Sequence, residues 1–360
     1  MSGAGAPEAR PPRRAARGLR ILGGVSIAAG IAIVLGVFAL FPVLVTDPTA
    51  TSIAFFTLVF MGATAAWNVF SGYSGYLALG HAVFFGSGGY AVALAARDWH
   101  FKGGWDVFGL LPFAGVVAAV IAVPVGLIAL RTRRHTFVVV TIAIFFIFQL
   151  AAFNLSFTGG TSGLPFPIAP FTAANYNQPF YYVALAIMVL TTLMSWAVRR
   201  SRFGLQLLAI RDDEDRALGL GVRTRRVKLI AFVLSAFPVG MLGGLYFYFI
   251  GQVFPQFAFD PLFDISLALM AFLGGIGTLI GPLLGALVLE SLQQYLTQSF
   301  SGTGTYLIAY GVLFLIVILL LPRGVVPSLA QLVTRRRTRR LESAAAREPA
   351  VRGGVAGVAR

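Results

Sequence analysis

Residues 199–228 read RRSRFGLQLLAIRDDEDRALGLGVRTRRVK, a polar island of nine basic and four acidic residues. On one side stands the charge-free run YYVALAIMVLTTLMSWAV (181–198), on the other LIAFVLSAFPVGMLGGLYFYFI (229–250). Runs of this kind are what a hydrocarbon core demands, since about 20 helical residues cross it. The island therefore reads as a loop between two membrane helices. Its middle predicts short helices, with apolar residues at 205, 208, 209 and 218 on one face and Gly219 and Gly221 suited to a C-cap and turn. A solvated loop that holds topology by charge is the plainer reading. The mixed signs and the apolar stripe predict instead a docking element for a soluble partner. In that element the helix runs from about Leu205, with Leu208 and Ala209 packed inward on the partner. Arg211, Asp212, Asp213, Glu214, Asp215 and Arg216 lie on its rim, and Gly219 closes it.

Working outward, the rest of the chain is almost all membrane sequence. Hydrophobic residues make up 58% of 360 and charged residues 11%, whereas soluble domains carry about twice that charge. The fold class predicted is an all-α integral membrane protein of about ten transmembrane helices, in a five-plus-five arrangement with Gly-rich broken helices. The spans fall near 20–43, 50–68, 77–96, 108–130, 136–153, 179–198, 229–250, 264–279, 282–298 and 305–321. Residues 264–298 read as one long helix or two short ones, and charge decides between them. Basic residues concentrate on cytoplasmic segments. Ten spans with a cytoplasmic start place 26 of the 28 basic residues inside, leaving out Arg97 and Lys102. Nine spans would leave 17 inside and 11 outside. Ten spans put both termini in the cytoplasm and the charged loop at the middle of the chain.

The domain organisation follows: a basic N-terminus (1–19), a membrane domain (20–328) and a basic cytoplasmic tail (329–360) without a periodic apolar face, which reads as disordered. Five arginines precede the first apolar run, but the run from Ile21 to Leu44 is too long for a signal peptide and no cleavage pattern closes it, so it reads as an uncleaved span. The net charge of +15 does not indicate nucleic acid, because the basic residues flank apolar spans. Membrane lipid is the expected partner of the tail. The chain has no cysteine, which excludes disulfides and thiolate metal sites. No catalytic residue, metal or cofactor is expected.

Two glycine-dense stretches stand inside the membrane sequence. One is NVFSGYSGYLALGHAVFFGSGGY (68–90), with Gly72, Gly75, Gly80 and His81; the other is GGIGTLIGP (274–282), with Gly274, Gly275 and Gly277. Such density means close helix approach, a broken helix, or both. His81 should face protein or water; a merely hydrogen-bonded imidazole is the plainer expectation, since no second His, Asp or Glu is spaced to join it. Glu290, the carboxylate nearest the second stretch, is expected either to bond across a helix interface or to line a path. The loop at 154–178 has 25 residues and no charge, a length that is usually functional; it is expected outside, to dock a binding protein.

Four stretches resemble one family in order and without large gaps: 68–90, FTGGTSGLPFP (157–167), residues 201–246, and LALMAFLGGIGTLIGPLLGALVLE (267–290). They are similar to the permeases of branched-chain amino-acid ABC importers, and closer to the M-type subunit of the permease pair. The resemblance runs from about residue 50 to 328. It implies a permease subunit working with a second permease subunit (a heterodimer), two cytosolic ATPase subunits and an extracytoplasmic substrate-binding protein. Amide and urea permeases share much of the pattern. Arg131 to Val138 and Thr161-Ser162-Gly163 depart from the family's usual runs.

The expected mechanism is mechanical. The chain has no Gly-x4-Gly-Lys-Ser/Thr run, so ATP must be hydrolysed by partners. ATPase closure would push on the 199–228 loop and shift the spans between outward- and inward-open states. A urea or short-amide importer is the alternative. A stand-alone secondary carrier lacks the buried charge chains it would need here.

Overall fold

In a computed structural model the described residues are 36–172, 175–299, 311–312 and 315. The chain divides into two compact units, Met1–Asp47 and Pro48–Arg360. In the first, residues 36–44 are helical. Among its described residues the second consists mostly of helices. They are α1 Pro48–Trp67, α2 His81–Asp98, the short α3 Trp105–Phe108, α4 Leu111–Ala129, α5 Arg134–Asn154 and α6 Asn177–Arg200. Then come α7 Arg202–Asp212, α8 Glu214–Gly219, α9 Thr224–Ile250, the short α10 Pro255–Ala258, α11 Pro261–Gly274 and α12 Gly281–Ser299. The one sheet among the described residues is a two-residue antiparallel pairing, Leu164 with Val253 and Pro165 with Gln252.

Six helical segments among the described residues are long and apolar enough to cross a membrane: 48–72, 105–129, 134–154, 177–200, 224–250 and 255–274. Helices α2 and α12 occupy the places of the third and ninth predicted spans, but His81, Arg97 and Asp98 in one and Glu290 with its glutamines in the other lower their hydropathy. The uncertain 264–298 region is two helices, α11 and α12, broken over residues 275–280. Several predicted limits move. Helix α9 starts at Thr224, absorbing the last basic residues of the polar island, and residues 77–80 are irregular rather than helical. The predicted first and tenth spans lie largely outside the described residues, as do the N-terminal segment and the tail.

Helix α9 is the hub, packing on α4, α2 and α1, while α1 also packs on α6 and α12. Its crossing with α2 depends on missing side chains: a β-carbon on Gly88 would overlap the Gly240 backbone. This is how membrane helices gain van der Waals contact where lipid supplies no hydrophobic drive. Aromatic rings fill the seams, with Phe55 stacked on Phe249 at 4.2 Å and Phe70 edge-on to Phe232 at 4.9 Å between ring centres.

Two breaks interrupt the helices. In the first, α1 passes into a π-helical turn, Asn68–Gly72, and then an irregular segment reaches α2. Its backbone groups have partners, as a low-dielectric setting requires. Trp67 Nε1 donates to the Ala78 carbonyl (2.8 Å), Ala78 N–H donates to Ser71 Oγ (3.2 Å), and Leu79 N–H donates to Thr141 Oγ1 (3.2 Å). The first N–H groups of α2 are met from α11: Asp264 accepts from His81 N–H at 2.8 Å and from Ala82 N–H at 3.2 Å. A carboxylate at a helix start meets both orphan donors and the positive end of the dipole.

Candidate functional site at the charged loop

The charged loop folds as two capped helices. Ser201 caps α7 by accepting from Gly204 N–H at 3.1 Å, and Asp213 caps α8 by accepting from Arg216 N–H at 3.0 Å. Such oxygen caps contribute about 1 kcal/mol each. Leu207 and Ile210 are fully buried against the membrane domain, and Ala217 nearly so. The outer face is different: Leu205, Leu218 and Leu220 are 63%, 59% and 85% exposed.

The inner face is tied to both helix breaks. Arg211 Nη1 donates to the Gly72 carbonyl at 2.9 Å, at the end of the π-helical turn. Its guanidinium also lies against Gly277, where a β-carbon would collide with it. Arg199 donates to the Gly277 carbonyl. Asn68 links the two breaks directly: its Oδ1 accepts from Gly277 N–H (2.8 Å) and its Nδ2 donates to the Thr278 carbonyl (2.9 Å). Gly75, Gly275 and Gly277 have φ of 74°, 117° and 77°, values that only glycine adopts without strain. The breaks are thus built for an unusual path and held by side chains from the loop.

A second cluster anchors the loop. Lys228 Nζ, almost wholly buried, donates to Glu214 Oε1 at 2.5 Å and to the Tyr76 hydroxyl at 3.0 Å. The Tyr76 hydroxyl in turn donates to Glu214 Oε2. Burial alone would raise the Glu214 carboxyl. Hydrogen bonds from Lys228 and Tyr76, with the Lys228 charge, outweigh it and hold the carboxyl below its ordinary value. Arg134 closes the C-terminal end of α7 by donating to the Ile210 and Arg211 carbonyls, both at 2.7 Å. A cleft of about 500 Å³ opens between the 130–135 turn and this cluster, with arginines on one wall and the acidic run on the other.

These positions revise part of the sequence reading. Arg211 and Glu214 do not lie on an outer rim but turn back into the membrane domain. Asp212, Asp215 and Arg216 are exposed, and Arg216 pairs with Asp213 at 2.9 Å in water. Leu208 and Ala209 are half-buried. The position needing glycine is Gly221, with φ of 85°, not Gly219, which closes α8 in ordinary helical geometry with open space beside it. Gly72 and Gly277 come together through Asn68 and Arg211. His81 and Glu290 do not join them.

His81 is fully buried, with Nε2 3.0 Å from Ser235 Oγ. The carboxylate that its sequence surroundings did not show is Asp264, which meets its backbone rather than its ring. An aspartate in an otherwise apolar segment was the available signal. Asn68, Arg199, Tyr76 and Lys228 were also missed. Each reads as ordinary polar sequence until the fold brings distant breaks together.

A bundle of apolar helices with internal breaks, latched by a charged loop, is the architecture of a multi-pass membrane protein. Residues 49–321 match the family described as branched-chain amino acid transport system / permease component, and the chain belongs to that family. It is thus an ABC-importer permease subunit, not an enzyme. The chain is 28% identical over 315 residues to the high-affinity branched-chain amino acid transport system permease protein LivM of Escherichia coli, covering 79% of this chain and 72% of that protein. The LivH permease of Salmonella typhimurium is 27% identical over 158 residues, 43% of this chain and 50% of that protein. An autoinducer 2 import system permease, LsrC of Salmonella paratyphi B, is 32% identical over 113 residues, 30% of this chain and 33% of that protein. No solved structure matches the chain.

Proposed function

We propose that the chain forms part of the translocation path for branched-chain or similar apolar amino acids and is driven by ATPase subunits seated on α7 and α8. The supporting observation is the two-sidedness of the loop. Its inner face holds the two helix breaks through Arg211 and Arg199, and its outer face offers Leu205, Leu218 and Leu220 to solvent. Exposed leucines beside acidic residues suit a protein groove, where each large side chain buried contributes roughly 1.5–3 kcal/mol. A push on the loop would reach both breaks through bonds already made. In this reading the loop is cytoplasmic, both termini lie inside, and the chain has ten spans. A second permease subunit completes the path, and a binding protein docks at the 154–178 loop on the far side. The relatives' names support the amino-acid assignment.

The experiment is purification of the chain from its own membranes, with identification of any ATPase that accompanies it, beside uptake of labelled leucine and urea. Leu218→Asp should release the ATPase and abolish leucine uptake at normal membrane levels. Retention of both by Leu218→Asp and by Leu205→Asp would remove the loop as the docking element. Loss of urea uptake alone in cells lacking the chain would move the substrate to the urea and amide class.

A further inference from the structure

Glu290 is the midpoint of α12, with nine residues on either side, so about 14 Å of helix separates it from each end. Its side chain is 1% exposed. Oε1 accepts from Gln294 Nε2 at 2.8 Å, but Oε2 has no hydrogen-bond partner among the described residues. One helical turn on, Gln293 Oε1 is also buried without a partner among the described residues. Residues three and four apart share a helix face, so Glu290, Gln293 and Gln294 form one polar stripe. Leu284, Val288 and Tyr295 are exposed elsewhere on α12. Tyr246 of α9 lies within electrostatic range of Glu290. The three ion pairs among the described residues all lie elsewhere.

Buried polar atoms almost always have partners, and an ionisable side chain at membrane depth is a functional residue by default. Gln293 Oε1 is an acceptor, and Glu290 Oε2 is one when the carboxyl is ionised. A partner that satisfies both is a multivalent donor whose positive charge holds the carboxyl ionised. A primary ammonium fits: it brings three N–H groups and the opposite charge. A neutral amide or urea would bring no charge to hold the carboxyl ionised.

We propose that Glu290 and Gln293 bind the α-ammonium group of a transported amino acid part-way across the membrane. This rests on the amino-acid reading above. The test uses the complete transporter in proteoliposomes for leucine uptake, and the membrane complex in nanodiscs, without binding protein, for leucine binding. Leucine should bind the nanodisc complex and be displaced by 3-methylbutylamine, which keeps the amine, but not by 4-methylpentanoate, which lacks it. Glu290→Gln should weaken binding and slow uptake at least tenfold while the complex stays assembled. Gln293→Leu, which keeps the carboxylate, should show a smaller loss of about threefold. The proposal is overturned if Glu290→Gln stays within twofold of wild type, or if 4-methylpentanoate competes as well as the amine. Loss of the second permease from the Glu290→Gln complex would also overturn it, by making Glu290 an interface residue. Leucine uptake by wild type with an indifferent Glu290→Gln sinks only this proposal. A wild type that carries urea and no leucine sinks the amino-acid reading beneath it.

Discussion

The guanidinium of Arg211 donates to the carbonyl of Gly72 at 2.9 Å, across 139 positions of sequence. One end of that bond is the charged loop and the other is the broken end of α1. A charge-assisted bond of this kind contributes roughly 1.5–3 kcal/mol when its acceptor is shielded. Arg211→Gln should therefore lower leucine uptake per ATP hydrolysed by about tenfold, with the chain present at normal levels. Simultaneous measurement of uptake and ATPase rate checks this. An unchanged ratio would show that the bond is only structural.

The Glu214–Lys228–Tyr76 cluster predicts a pH dependence. Glu214 has a folded value depressed below the ordinary one. Its contribution to stability is complete above the ordinary carboxylate value, about 4.3. It is lost as pH falls through the depressed folded value. Glu214→Gln should destabilise the chain by about 1 kcal/mol near neutrality, discounted because Glu214 keeps 26% of its side chain in water. The difference in melting temperature between wild type and variant should be flat from neutrality to about pH 5 and shrink in stronger acid. Growth of the difference on acidification would contradict the assignment.

Two neighbouring glycines should behave oppositely. Gly221 has φ of 85°, whereas Gly219 is helical with nothing within 4 Å of a new β-carbon. Gly221→Ala should cost about 1 kcal/mol. Gly219→Ala should be neutral or stabilising by about 0.4–1 kcal/mol. Thermal unfolding in detergent measures both.

The α2–α9 crossing is intolerant in a different way. Gly88→Val would force the helices apart at the Gly240 backbone, and the yield of folded protein extracted in mild detergent should fall several-fold. A normal yield with full uptake would mean that the helices can separate there without loss.

The chain has no cysteine, so single cysteines report sidedness cleanly. Thr172→Cys should react with an impermeant thiol reagent in intact cells. Gly219→Cys should react only after permeabilisation. The reverse pattern would invert the proposed orientation.

The sequence alone determined the membrane class, the helix-rich body and the exceptional character of residues 199–228. Those conclusions depend on quantities additive along the chain: apolar length against bilayer thickness, and the distribution of charge between spans. It also favoured the break near 275–280 and marked 68–90 as glycine-dense, because glycine density is local chemistry, yet it ran the third span from residue 77 through a stretch that is irregular. What it could not assign was the direction in which loop residues face. Arg211 and Arg216 are alike as residues, yet one bonds Gly72 and the other stands in water. Only the tertiary structure decided that, by bringing the breaks of α1 and α11–α12 beneath α7, where buried carbonyls lacked donors. The same holds for Asp264, whose role at the start of α2 comes from a partner 183 residues away. Burial turns an unpaired polar group into a large penalty, and which groups are buried together is a property of the packed helices rather than of any one segment.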